Sequence, residues 1–127
     1  MSHETPQMTG AELRSTREML GLTGDHLARM LRINPRTIRS WEQGRDPIPA
    51  RFGPELTQLV EATREAVAQM AASVKSQSDP LLLTYRSDSE YLAANPDGRW
   101  TAAWHRQVCA RVADQAGARI DYFGSGS

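Results

Sequence analysis

Arg36, Arg39, Ser40 and Gln43 stand close together in the chain, spaced so that one side of a helix would carry all four. Such a set recognises rather than makes bonds. An arginine can bind the O6 and N7 of guanine in bidentate fashion, and serine and glutamine complete a hydrogen-bonding face for base edges. The other candidate chemistry is weaker. His105 and Cys109 are four apart and could share a metal on one helix face. No second pair stands at ligand spacing, and a tetrahedral site needs four ligands or three plus water. A helix-surface histidine beside a small buried cysteine is the better account. His3 falls in the N-terminal tail, and His26 reads as a phosphate neighbour or a solvated residue. The chain has no Gly-rich phosphate loop, nucleophile elbow or paired-carboxylate motif. The reading is therefore not an enzyme, with no catalytic residue, metal or cofactor assigned.

The elements around these residues explain how they would be presented. Thr23 caps a helix in which Leu27, Ala28 and Leu31 recur at helical spacing toward a core. Arg32, Ile33 and Asn34 form a turn. Asn34 followed by Pro35 starts the next helix with a cap and a residue already locked at helical φ. Ile38 and Trp41 point inward, which leaves Arg36, Arg39, Ser40 and Gln43 outward, and Gly44 ends the helix. Upstream, Thr9 to Leu20 reads as a first helix with Leu13 and Leu20 inward. Downstream, Arg45-Asp46-Pro47-Ile48-Pro49 is a loop with two prolines.

From Thr9 to about Phe52, with Ser40-Trp41-Glu42-Gln43-Gly44 as its most specific stretch, the chain resembles the helix-turn-helix of the Cro/repressor (XRE) superfamily. The resemblance implies that Pro35, Arg36, Arg39, Ser40 and Gln43 read base edges. It implies phosphate contacts from Thr23, Gly24, Asn34, Thr37, Arg45 and Arg51. It also implies a scaffold in which Trp41 is buried and Arg17 forms a partly buried ion pair with Glu42. Two positions depart from the family pattern. Arg32 stands where glycine is common. Gly24 stands where glutamine commonly holds a phosphate, so that contact is left to the backbone N–H.

The 127 residues carry 15 basic and 15 acidic side chains, a formal net charge of zero. The balance is uneven along the chain. Thr9 to Phe52 holds eight arginines against five acids, whereas Gly53 onward holds seven basic and nine acidic residues. Phosphate attraction supplies most non-specific DNA affinity, so the excess falls where the motif needs it. The single cysteine excludes an internal disulfide framework and suits a reducing cytoplasm. No apolar run approaches a membrane span, and the N-terminus lacks an apolar signal core.

The expected fold is mainly α, in five parts. Residues 1–8 form a disordered tail, 9–52 a helix-turn-helix domain, and 53–78 a connecting helix and linker. Residues 79–123 form a C-terminal dimerisation unit, and 124–127 a flexible end. The long helix runs from about Pro49 to Lys75, with Pro54 kinking its first turns or marking its start. Its stripe of Leu56, Leu59, Val60, Thr63, Val67, Met70, Ala71 and Val74 bridges to the C-terminal unit, packs against a second subunit or belongs to an intrachain core. Next come a strand over Leu81–Arg86, a short helix capped by Ser87 and Glu90, a turn at Asn95-Pro96-Asp97-Gly98, a helix from Trp100 to Ala116 and a strand from Ala118 to Phe123. Two strands alone make a marginal sheet, which makes a partner sheet attractive. Leu81, Leu83, Tyr85, Trp104, Val108, Ile120 and Tyr122 are the candidate dimer interface. Trp100, Trp104, Tyr85 and Tyr91 could stack on bases of single-stranded RNA, though aromatics at helical spacing more often pack.

The C-terminal half, with its Tyr-Arg-Ser-Asp-Ser-Glu-Tyr and Asn-Pro-Asp-Gly stretches, is similar to the appendage of the YdiL-like small phage and bacterial regulators, which include anti-CRISPR-associated autorepressors. That similarity implies a homodimer that represses its own operon. The sequence thus points to a cytoplasmic, sequence-specific repressor bound to double-stranded DNA at a palindromic operator. The rival reading is an antitoxin whose C-terminal half binds a toxin protein.

Overall fold

The computed structural model describes residues 8–124. Most of the expected N-terminal tail and C-terminal flexible end lies outside the described residues. The fold is mainly α, with helices α1 (Gly10–Met19), α2 (Gly24–Leu31), α3 (Pro35–Glu42) and α4 (Phe52–Val74), strand β1 (Leu81–Thr84), helices α5 (Asp88–Ala94) and α6 (Ala102–Ala116), and strand β2 (Arg119–Tyr122). The chain divides into two compact units between Val60 and Glu61. That division falls later than the boundary expected after Phe52, and the buried Leu56 and Leu59 lie on the first unit's side of it.

In the first unit, each of the three short helices is specified at both ends by local chemistry. Thr9 and Glu12 form a reciprocal capping box on α1, at 3.0 and 2.8 Å. The Thr23 hydroxyl accepts from the His26 N–H at 3.0 Å, and the Asn34 side-chain Oδ1 accepts from the Arg36 N–H at 2.8 Å. All three helices end in the same hydrogen-bonded reversal. The pairs are Gly21 N–H to Glu18 and Leu22 N–H to Arg17, then Arg32 N–H to Arg29 and Ile33 N–H to Ala28, then Gly44 N–H to Trp41 and Arg45 N–H to Ser40. This motif needs a left-handed residue at its centre. Gly21 and Gly44 supply it at φ 69° and 77°, and Arg32 supplies it at φ 60°. The arginine accepts the backbone that glycine would adopt freely, at a cost of about 1 kcal/mol.

These ends aim three short helices at one core. Leu13, Leu20, Leu27, Ala28, Ile38 and Trp41 are buried there, and Trp41 packs against Phe52 with ring centroids 4.9 Å apart. The start of α1 lies directly on the end of α3. A Cβ at Gly10 would sit 2.8 Å from the Glu42 carbonyl oxygen and closer still to that of Trp41. Helix α4 begins at Phe52 rather than Pro49, whose carbonyl accepts the Phe52 N–H at 3.1 Å. Pro54 is therefore its third residue, inside the first turn, where a missing N–H leaves no helical bond unmade.

In the second unit, β1 and β2 pair in parallel, Leu81 beside Arg119 through Thr84 beside Tyr122. Parallel neighbours cannot be joined by a tight turn, and α5 and α6 form the crossover. Both strands are shorter than expected. Helix α6 starts two residues later than expected because Thr101 is its cap, accepting from the Trp104 N–H at 3.0 Å. Trp100 lies outside the helix and stacks on Trp104, centroids 4.4 Å apart and planes 8° from parallel.

Side-chain hydrogen bonds tie this core across long stretches of sequence. The Trp104 indole donates to the Thr63 hydroxyl at 2.9 Å. The Thr84 hydroxyl and His105 Nδ1 lie 2.7 Å apart. The Arg106 guanidinium donates to the carbonyls of Tyr85 and Arg86 at 2.6 and 3.2 Å. Among the described residues no buried side-chain polar atom lacks a partner.

Candidate nucleic-acid interface

Successive side chains of a helix are about 100° apart. Ile38 is 1% exposed and Trp41 5%, which fixes the inward direction of α3. The opposite direction falls between Arg36 and Gln43, with Arg39 and Ser40 flanking it. Arg36, Arg39 and Gln43 are exposed and Ser40 is half-buried. Pro35 is the first helical residue and is half-buried. The outward face thus carries two guanidiniums, an amide and a hydroxyl, with no large apolar side chain among them.

The scaffold behind this face is rigid. Arg17 Nε and Nη2 donate to the two Glu42 carboxylate oxygens at 2.7 and 2.8 Å, and Nη1 donates to the Leu22 carbonyl at 3.0 Å. Their side chains are only 16% and 10% exposed. The hydrogen bonds to Glu42 raise the Arg17 pKa against the opposing effect of burial, so the guanidinium stays charged. Glu42 faces away from the outward set, and Arg17 links α1, the α1–α2 turn and α3 in one clamp.

The residues expected at phosphates are spread around this face. Thr23 is exposed and uses its oxygen as a cap, which leaves its hydroxyl hydrogen to donate. Gly24 is the first residue of α2, where an N–H has no intrahelical partner. A Cβ there would meet only Ile38 Cγ2, at an ordinary 3.7 Å, so the site has room for a side chain. Asn34 is exposed at the start of α3 and Thr37 is half-buried, its N–H bonded to the Asn34 carbonyl at 2.9 Å. Arg45 is exposed. Arg51 is exposed too, but its guanidinium lies 4.5 Å over the Phe52 ring.

One contact at this face is absent from the sequence reading. The Ser40 hydroxyl donates to Asp46 Oδ2 across the α3 reversal. The signal was present: Gly44 turns the chain back, so a residue just beyond it returns over the last turn of the helix.

The candidate dimer residues divide differently from the expectation. Tyr85, Trp104 and Val108 are 8%, 7% and 1% exposed and belong to the second unit's own core, so they offer no side chain to a partner. Of the stripe on α4, Leu56, Leu59, Thr63, Val67 and Val74 are buried within the chain, whereas Val60, Met70 and Ala71 are half-buried. Leu81, Leu83, Ile120 and Tyr122 are exposed, but not on one surface. Paired residues of a sheet share a face and neighbours along a strand alternate. Leu81 and Leu83 therefore share a face with Arg119 and Asp121, whereas Ile120 and Tyr122 share the other with Leu82 and Thr84. The aromatic set weighed for RNA stacking is mostly core: Tyr85, Tyr91 and Trp104 are buried.

His105 and Cys109 lie together, Nδ1 to Sγ 3.6 Å, with the Met70 sulfur 3.9 Å from Sγ. Burial lowers the His105 pKa and raises that of Cys109, so both stay neutral. Among the described residues no group of three or more His, Cys, Asp or Glu is placed to hold a metal ion. No described helix is long and apolar enough to cross a membrane.

Three capped helices, the third with a polar outward face and a buried aromatic anchor, define the class of helix-turn-helix proteins. Residues 9–71 match the family model described as a helix-turn-helix domain, and over this segment the chain is similar to that family. The match agrees with the resemblance to the Cro/repressor superfamily and extends well into α4. No curated protein matches the chain.

Proposed function

We propose that the protein is a sequence-specific transcriptional repressor that binds a palindromic operator as a homodimer and controls its own operon. The observation that carries this reading is the outward face of α3, with Arg36, Arg39, Ser40 and Gln43 opposite the buried Ile38 and Trp41. Arg36 stands in the first turn, the part of a recognition helix that approaches base edges. The surrounding positive charge supplies phosphate attraction.

Two recognition helices on one dimer would stand about one DNA turn apart, ~34 Å. The exposed Leu81 and Leu83, flanked by Arg119 and Asp121, favour a self-complementary contact. A two-fold axis can bring the arginine of one copy to the aspartate of the other. Linking two half-site contacts raises avidity by ~10²–10⁴.

Selection of bound DNA from a random library tests the reading, followed by Arg36→Ala on the selected site. The variant should lose specific affinity by about tenfold or more while non-specific affinity falls less. Equal loss on selected and random DNA would reduce Arg36 to a phosphate contact, and enrichment of no sequence would overturn base reading altogether. Sedimentation of the full chain and of Leu83→Asp tests the dimer. A monomeric full-length protein would overturn that part.

A further inference from the structure

A hydroxyl on a DNA-reading face is ambiguous, because serine can donate to a base acceptor or accept from a base donor. In this protein the ambiguity is removed by an acid. Gly44 at φ 77° reverses the chain after α3, the Arg45 N–H bonds back to the Ser40 carbonyl at 3.0 Å, and Asp46 returns over the same serine. Its Oδ2 accepts the Ser40 hydroxyl hydrogen. Asp46 is exposed and, among the described residues, forms no ion pair, although Arg45 is its neighbour in sequence. Its carboxylate is committed to the serine. The backbone bond and the side-chain bond converge on one residue of the outward face.

The placement of an acid here also has a cost. A carboxylate beside a phosphate-seeking surface repels DNA and lowers affinity for every sequence alike. It adds nothing to the Arg17–Glu42 clamp, which lies on the other side of α3. What the acid does change is the polarity of Ser40. With its hydrogen engaged, the serine oxygen faces outward as an acceptor. In the major groove, amino donors are presented by cytosine N4 and adenine N6, whereas guanine and thymine present O6 and O4 acceptors.

We infer that Ser40 and Asp46 act as one specificity-determining pair, Asp46 being the positioning residue that makes Ser40 read the amino group of a cytosine or adenine and reject guanine and thymine. The inference rests on the proposed DNA-reading role of α3 and adds to it a residue outside the recognition helix.

The test is selection from a random DNA library by the full chain, wild type against Asp46→Ala, Ser40→Ala and the double variant. Thermal melts establish that each variant is folded; both positions are at the surface, so stability should change little. The wild type should show one position per half-site restricted to cytosine or adenine. Asp46→Ala should relax that position by about tenfold while leaving the other positions sharp, because the freed hydroxyl can then also donate. Ser40→Ala should relax the same position, and the double variant should go no further than either single change. An unchanged profile in Asp46→Ala, with only a uniform rise in affinity, would overturn the pair and leave base reading by α3 intact. A wild-type profile that already accepts, on one strand, both an amino-bearing and a carbonyl-bearing base at every position that Ser40→Ala affects would also overturn it. Failure of the wild type to enrich any sequence would overturn the DNA-reading role and the inference with it.

Discussion

The two units are held in different ways. Up to Val60, order comes from hydrogen bonds between near neighbours in sequence: three caps, three reversals, and one long-range clamp from Arg17 to Glu42. From Glu61 onward, the decisive bonds join residues far apart, Thr63 to Trp104, Thr84 to His105, and Tyr85 to Arg106. The first unit is specified helix by helix and then packed. The second has local caps of its own at Ser87 and Thr101, but its sheet forms only when strands and helices are already together. A surface meant to read DNA benefits from the first kind of construction, since its geometry is set by short segments that cannot drift.

The largest expected effect is in the first unit. Trp41→Ala removes the buried aromatic against Phe52 and should destabilise by ~3–5 kcal/mol, read as loss of the first unit's unfolding transition in a denaturant titration. A variant that melts like wild type but fails to bind DNA would turn Trp41 outward and break the assigned orientation of α3. In the second unit, Trp104→Phe removes the indole that donates to the buried Thr63 hydroxyl. It should cost about 1 kcal/mol through that bond, and the cost should shrink where Thr63 is already Val. Additive losses would mean the indole–hydroxyl bond does not hold the core.

A gain is expected at Arg32→Gly. It relieves the left-handed backbone in the middle reversal and should raise stability by about 1 kcal/mol, measured as a shift of the denaturation midpoint at constant slope. A loss would show that the arginine side chain does more for the turn than its backbone costs. The smallest and most selective effect is in pH. Burial lowers the His105 pKa, so the unfolded chain binds the proton more readily than the folded one. The contribution is fully present above the unfolded value near 6.5 and is lost as pH falls below it toward the folded value. His105→Gln should flatten stability over that window. A slope unchanged by the substitution would place the proton elsewhere.

This contrast also explains what the sequence revealed. Caps and stops are read from a few adjacent residues: Thr9 with Glu12, Asn34 with Pro35, and Gly44. The helix-turn-helix, its inward Ile38 and Trp41 and its outward polar set were therefore legible. The stripe on α4 was visible as a stripe, but periodicity does not say whether a face meets its own chain or another. Tyr85, Trp104 and Val108 stand among the candidate dimer residues for the same reason; their burial depends on how α6 covers β1. Strand pairing posed a related problem. Alternation tells which residues share a face within one strand, but placing Leu81 and Ile120 on opposite faces required the register between strands. The Ser40–Asp46 contact was readable in principle, because Gly44 announces the reversal.

The parallel pairing of β1 and β2 bears on the order in which the molecule is made. Leu81 cannot meet Arg119 until α5 and α6 have been synthesised between them, so the sheet closes a long loop and its formation carries that loop's entropic cost. The three short helices of the first unit need no such wait, since their contacts lie close in sequence. As the chain leaves the ribosome, the helix-turn-helix part can become structured while the second unit still waits for β2, and the leucines of β1 remain without their sheet partner during that interval.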